Sequence, residues 1–176
     1  LAIIACAVYA VIAVTVLDAK PMLIDELAQV FQAQTFASGQ LWRTAPPHPE
    51  FFSILHMVDT GGRWYSQFPP GGPAMMTPGV LLGVPWLVNP VFGAVSVSAW
   101  AWYLRIAEPR PGVRLGATLL LAFSPFVAFL AGSHMNHVTA LTWVLIATAA
   151  LAATMASPTA RPGLAFVNGF ALGACA

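Results

Sequence analysis

The chain has 176 residues, 59% hydrophobic and only 7% charged, with a formal net charge of +1 and a mean hydropathy of +0.77. Soluble domains carry about 25% charged residues, so this composition excludes an ordinary water-soluble domain and points to an integral membrane protein. The net charge says nothing about nucleic acid, and the basic residues are scattered, with no basic run or face to point to it as a partner.

A membrane-spanning helix needs about 20 mostly apolar residues. Leu1 to Leu17 meets the lower bound. It lacks a charged start, and Asp18-Ala19-Lys20-Pro21 behind it is a poor cleavage site, so it reads as a span and not as a signal peptide. A polar loop follows over residues 18–89. Within it, Leu23, Leu27, Val30 and Phe31 recur at helical spacing, while Asp25, Gln29 and Gln32 fall on another face. That pattern predicts an amphipathic helix over residues 23–37, lying on the membrane surface with its apolar side down and stopping at Gly39. Gln40 to Pro49 is proline-rich and irregular, and Gly61-Gly62 marks a tight turn. Trp64, Tyr65 and Phe68 suit a membrane interface.

Residues 73–88 are apolar but carry Pro73, Pro78 and Pro85. Each proline removes a backbone donor that lipid cannot replace, so the segment reads as an interfacial or broken helix. Further spans are expected over about residues 90–106, 115–131, 138–156 and 164–176. Cys6 and Cys175 sit in apolar stretches and read as small core residues, without a disulfide framework. The expected architecture is one transmembrane domain over residues 1–176. It is an all-α multispan helical bundle, with amphipathic interfacial helices in its first outer loop. Leu1 and Ala176 both fall inside apolar runs, and the chain reads as the N-terminal part of a longer membrane protein.

Arg105, Arg110 and Arg114 cluster after the second span, and Arg161 follows the fourth. If residues 73–88 do not cross, these arginines lie opposite Lys20, Arg43 and Arg63. The positive-inside rule then makes the arginine loops cytoplasmic and the loop 18–89 external. If that segment crosses, all the basic residues share one side with Asp25, and that side reads as cytoplasmic. The prolines favour the first arrangement.

Six acidic residues are spread over the chain, and Asp25 and Glu26 are adjacent just outside the first span. Asp25 reads either as a helix N-cap or as a catalytic carboxylate, and Glu26 either as a solvated first-turn acid or as its partner. His134 and His137 stand three apart, which on a helix puts them on one face. Two imidazoles and Asn136 suit phosphate contact or hydrogen bonding at the water boundary, but make an incomplete metal site. No cofactor is assigned, and a divalent metal is not indicated. Arg63 is a candidate partner for a lipid phosphate. His48 and His56 show no partner and receive no role.

The pattern of Asp25-Glu26 after a first span, Trp64-Tyr65-Ser66-Gln67-Phe68-Pro69-Pro70-Gly71, and Ser133-His134-Met135-Asn136-His137 resembles the membrane glycosyltransferases of the GT-C fold. The similarity is to the bacterial branch of the dolichyl-phosphate-mannose protein mannosyltransferases and lipid A aminoarabinose transferases. It covers most of the chain as the N-terminal portion of such an enzyme.

The resemblance implies a polyprenyl-phosphate-linked sugar as donor, an acceptor in the cell envelope, and an active site on the extracytoplasmic side of the inner membrane. It carries the role of general base to Asp25 and places Pro70, with Tyr65 before it, at the lip of the donor site. Such relatives often carry an acidic residue or an arginine near the His134 turn, and this chain has neither. An acceptor hydroxyl must lose its proton as it attacks the anomeric carbon. A phosphate leaving group needs no acid, so a single carboxylate suffices, unlike the pair of a glycoside hydrolase. Candidate substrate-binding residues are therefore Arg63, Tyr65, Pro70, His134, Asn136 and His137, around catalytic Asp25 and Glu26. The competing readings are a multispan transporter or channel, and a noncatalytic membrane assembly protein. Transporters place ionisable residues inside their spans, and here the polar residues gather in loops.

Overall fold

The computed structural model describes residues 1–52, 54–157, 159 and 161–174, so Cys175 lies outside the described residues. It is predominantly helical. In chain order run α1 (Ala2–Thr15), α2 (Ile24–Ala37), the strands β1 (Arg43–Thr44), β2 (Met57–Thr60) and β3 (Arg63–Ser66), α3 (Gly71–Leu81), α4 (Val88–Ala107), α5 (Pro111–Ala122), α6 (Pro125–Gly132), α7 (His137–Met155) and α8 (Pro162–Ala174). Short 3-10 turns at Pro49–Phe52 and Pro85–Leu87 join neighbouring elements.

The three strands correct the all-α expectation. They form an antiparallel sheet in the order β1-β3-β2. The Gly61-Gly62 turn closes the β2–β3 hairpin with φ of 60° and 75° at its two residues. This is a type I′ turn, which needs positive φ at both positions, and glycine adopts it without steric cost. Gln40 to Pro49, expected to be irregular, supplies β1, because Arg43 and Thr44 pair with Trp64 and Arg63.

Residues 115–131 were expected to form one span, and the structure breaks them. Ser124 has ψ of 124° ahead of Pro125, and α5 and α6 meet at a bend of 48°. Proline lacks the amide hydrogen and disfavours helical backbone in the residue before it, which accounts for the break. The Tyr9 hydroxyl donates at 2.7 Å to the carbonyl of Ala122, the last residue of α5, meeting a helix-end acceptor buried between helices.

Two helical stretches, Pro85–Ala107 and His137–Met155, are long and apolar enough to cross a membrane, and the bent pair α5–α6 makes a third if it is one span. The described parts of α1 and α8 have 14 and 13 residues, shorter than the about 17 a span needs. The 11 residues of α3 reach only about 16 Å at 1.5 Å per residue, well short of a hydrocarbon core of about 30 Å.

Small residues and hydroxyls join the helices. The core gathers Ala5, Tyr9, Val97, Ala122, Val127, Ala128, Ala131 and Val138. Ser96 Oγ and Thr142 Oγ1 lie 2.7 Å apart between α4 and α7, and Thr142 Oγ1 also donates to the Phe92 carbonyl at 2.9 Å. A Cβ at Gly93 would lie 2.8 Å from the Tyr9 ring and 3.0 Å from Ala131 Cβ. Small residues of this kind let apolar helices approach closely where no water drives their association.

Gly93→Ala should therefore lower the midpoint of thermal unfolding in detergent, with a cost of about 1–3 kcal/mol for overpacking. Gly116→Ala, where an added Cβ meets nothing within 4 Å, should be neutral or stabilising. Equal midpoints for the two variants would contradict close packing of α1 on α4.

Candidate functional site

The candidate site is built on α2, whose polar face turns inward. Glu26, Gln29 and Gln32 are buried, whereas Leu23, Ile24 and Leu27 are exposed. The expected division of the helix into an apolar and a polar face is present, but the glutamines pack against protein instead of facing water. Gln32 binds the strand region in two directions. Its Nε2 donates to the Leu41 carbonyl at 2.8 Å, and its Oε1 accepts from the Ser66 amide at 2.9 Å. Phe31 meets Trp64 edge to face at 4.6 Å between ring centroids. The sheet is thereby fastened along α2.

Consecutive helical residues project about 100° apart, and this separates Asp25 from Glu26. Glu26 is buried. Its Oε2 accepts the backbone amides of Met22 at 2.5 Å and Leu23 at 3.4 Å. This is the acidic half of a capping box; Leu23 has no side-chain acceptor to complete the other half. Capping was weighed for Asp25 and a solvated role for Glu26, and the structure reverses them. The longer side chain reaches back over the helix start, and the shorter one points at the loop.

Asp25 meets His56, a residue given no role from sequence. His56 Nε2 lies 2.8 Å from Asp25 Oδ1. On the other side of the ring, the Gln67 amide nitrogen is hydrogen-bonded to Nδ1, and the Gln67 backbone amide donates to the His56 carbonyl at 2.9 Å. The ring also rests on Phe68 at 5.0 Å. An amide N–H donating to Nδ1 leaves the ring proton on Nε2, facing Asp25. The imidazole is thus held at both nitrogens, and the second carboxylate oxygen of Asp25 is left clear of it. The Asp25 side chain is 39% exposed. His56 holds this position with φ of 72°, a left-handed backbone that costs a non-glycine residue on the order of 1 kcal/mol. No spacing rule links residues 25, 56 and 67, so nothing in the sequence signals the chain they form.

Beside Asp25 runs a buried polar seam between α2 and the turn 133–136. Asn89 Nδ2, at the start of α4, donates to the carbonyls of Ser133 and Met135, both at 2.7 Å, and fixes this turn. His134 is 2% exposed, and among the described residues neither its Nδ1 nor Gln29 Oε1 has a hydrogen-bond partner. Burial lowers the His134 pKa from its ordinary value, opposed by the neighbouring negative Glu26. Gly72 closes the seam. A Cβ there would lie 2.7 Å from Asn136 Cβ and 3.1 Å from Gln29 Oε1. A cavity of about 70 Å³ runs beside Gly71, Gly72, Asn136, Thr139 and Trp143. It is smaller than the roughly 300 Å³ of an ordinary ligand pocket, so it accepts one small group at most.

The remaining expected residues divide. His134 and His137 do not share a face: α7 begins at His137, which is exposed, and His134 lies buried in the turn ahead of it. Pro70, at the start of α3, is two residues beyond the Phe68 that supports His56. Arg63 lies over the Trp42 ring at 4.5 Å and lines, with Tyr65 and Trp42, an open groove of about 520 Å³ at the hairpin end. β1 ties that end of the sheet to Thr35 through Arg43 at 3.3 Å, ten residues and about 15 Å along α2 from Asp25. Arg63 is therefore not brought to the carboxylate. Among the described residues no three His, Cys, Asp or Glu side chains gather to hold a metal. No family profile, curated protein or solved structure matches this chain.

With its folded-state pKa below its unfolded value of about 6.5, His134 binds fewer protons when folded. Its stability penalty is absent above that pH, grows as the pH falls through it, and is complete below the folded value. Unfolding midpoints taken from pH 7.5 to 5 should therefore fall more steeply for the wild type than for His134→Gln, by up to about 1.4 kcal/mol per pH unit. Parallel curves would refute a buried neutral imidazole.

Proposed function

We propose that this chain forms the acceptor-activating part of a membrane glycosyltransferase of the GT-C kind. It moves a sugar from a polyprenyl-phosphate donor to an acceptor of the cell envelope, with the site on the extracytoplasmic side of the inner membrane. The observation that carries the reading is the Asp25 carboxylate. One of its oxygens is held by a His56 that is itself locked by Gln67, and the other makes no hydrogen bond among the described residues of a chain rich in apolar helices.

In this reading the acceptor hydroxyl oxygen attacks the anomeric carbon from the face opposite the phosphate. Its proton passes to the free oxygen of Asp25. The bond from the anomeric carbon to the phosphate oxygen breaks, the electron pair leaves on the polyprenyl phosphate, and the anomeric centre inverts. His56 does not take the proton, because its Nδ1 is occupied by Gln67 and its Nε2 already donates. It orients the base. Glu26 has a structural part, as the cap that fixes the start of α2. The start of α3 brings Gly71 and Gly72 beside Asn136 at a small cavity, where a helix N-terminus favours a phosphate group. The shortness of α3 supports the arrangement in which it stays on the Asp25 side and the arginine loop after α4 faces the cytoplasm.

The test is donor turnover by the full-length protein with a polyprenyl-phosphate sugar. Asp25→Asn should lower transfer by about 10²–10⁴-fold with the unfolding midpoint unchanged. His56→Phe keeps a ring against Phe68 and should reduce kcat less, at unchanged KM. Transfer by Asp25→Asn at the wild-type rate would eliminate the base role.

A further inference from the structure

The small sheet has two faces, and the fold uses one of them. Paired residues of an antiparallel sheet share a face, and successive residues alternate between faces. The register therefore puts Arg43, Asp59, Trp64 and Ser66 on one side. That side meets α2, where Trp64 rests on Phe31 and the Arg43 guanidinium donates to Thr35 Oγ1. Thr44, Val58, Thr60, Arg63 and Tyr65 fall on the other side, of which Thr44, Thr60 and Arg63 are exposed. Trp42 joins them, its ring beneath the Arg63 guanidinium at 4.5 Å. Together they form most of the open groove of about 520 Å³ at the hairpin end, with Leu41 and Gly61 completing it. That volume lies within the range of about 300–1,000 Å³ of ordinary ligand sites.

Arg63 is the charged residue of this lining. Among the described residues it makes no ion pair. Its side chain makes no hydrogen bond among them either, nor do the Thr60 and Tyr65 hydroxyls or the Trp42 indole N–H. A guanidinium held over an indole has lost much of its freedom before a ligand arrives, and its in-plane N–H groups stay available to a planar acid group. An aromatic surface with donors at its rim suits the C–H face of a sugar ring, whose oxygens then meet those donors. A single cation matches the single charge of a sugar carboxylate.

The groove is joined to the candidate site by β3. Gln67 follows Ser66 directly, and its amide bonds the His56 carbonyl, which continues the ladder by one pair. From the Gln67 side chain the bonds run through His56 to Asp25. Arg63 lies four residues before Gln67, about 13 Å at 3.3 Å per residue, and Tyr65 stands midway. One monosaccharide is too short to cover that distance, whereas a chain of a few sugars covers it. We infer that the outer face of the hairpin is a subsite for the acceptor, and that the acceptor is an oligosaccharide carrying an acidic sugar. Its reacting hydroxyl lies at Asp25, and the acidic ring further along sits at Trp42 with its carboxylate on Arg63. Calling this glycan the acceptor rests on the transfer proposed at Asp25, but its binding does not.

Equilibrium dialysis of trigalacturonate and of neutral maltotriose against the full-length protein in detergent, with no donor present, tests it. Trigalacturonate should bind at least about tenfold more tightly. Arg63→Gln should remove that preference, weakening trigalacturonate by about tenfold and leaving maltotriose within about twofold. Trp42→Ala should weaken both. Arg43→Gln removes the same charge from the face turned to α2 and should leave both within about twofold. Thr60→Tyr keeps every charge, suits an exposed strand and fills the groove. It should block both trisaccharides at an unchanged unfolding midpoint, and it serves if Trp42→Ala does not fold. Equal affinities for the two trisaccharides would overturn the inference, as would an equal loss in Arg43→Gln. So would equally tight binding of monomeric galacturonate, which marks a lone anion contact. Binding of neither trisaccharide would mean that Trp42 and Arg63 only anchor the hairpin among lipid headgroups, and would overturn it too. Retained binding together with wild-type transfer by Asp25→Asn would keep the subsite and remove the base role instead.

Discussion

Everything at the Asp25 end depends on the inward-facing polar side of α2. A buried amide that lacks a partner costs about 1–3 kcal/mol, and Gln32 escapes that cost only by bonding Leu41 and Ser66 at once. Those bonds set how the sheet lies along the helix. The rotation that brings Gln32 to the sheet also brings Glu26 and Gln29 to the turn 133–136 and leaves Leu23, Ile24 and Leu27 exposed. Asp25, between the buried and exposed sides, has His56 as its neighbour. One helix orientation thus decides cap, seam and carboxylate together.

The exposed leucines and isoleucine of α2 agree with a helix at a lipid boundary, while its glutamines act as the packing surface. The amphipathic pattern was readable from sequence because helical spacing reports which residues share a face. What covers the polar face depends on Ser66, Leu41 and the turn after α6, which come from distant parts of the chain. The break at Pro125 was also readable in principle, since the residue before a proline avoids helical backbone, but an unbroken apolar run masked it. The sheet was harder to see. Its strands have two to four residues, too few for alternation to stand out, and only Gly61-Gly62 pointed to a hairpin. His56 was illegible because its importance comes from a left-handed backbone and two partners on separate elements.

The two ends of the bundle have opposite electrostatic characters. At the Asp25 end, polar groups are buried, and the charges are the two carboxylates Asp25 and Glu26. At the α4–α5 end, the cations Arg105 and Arg110 stand at the surface. The helices between them are joined by small residues and by hydroxyls such as Ser96 and Thr142, which meet their hydrogen-bonding needs without ionised groups.

The Asp25–His56–Gln67 chain also has an evolutionary meaning. Each of the three side chains is useful only while the other two keep their shape, because the amide sets the tautomer, the tautomer sets the donor, and the donor sets the carboxylate. In the proposed role, a change at one position would strip value from the other two. Among descendants of this sequence they are expected to be retained together or lost together, although 42 residues separate the first from the last.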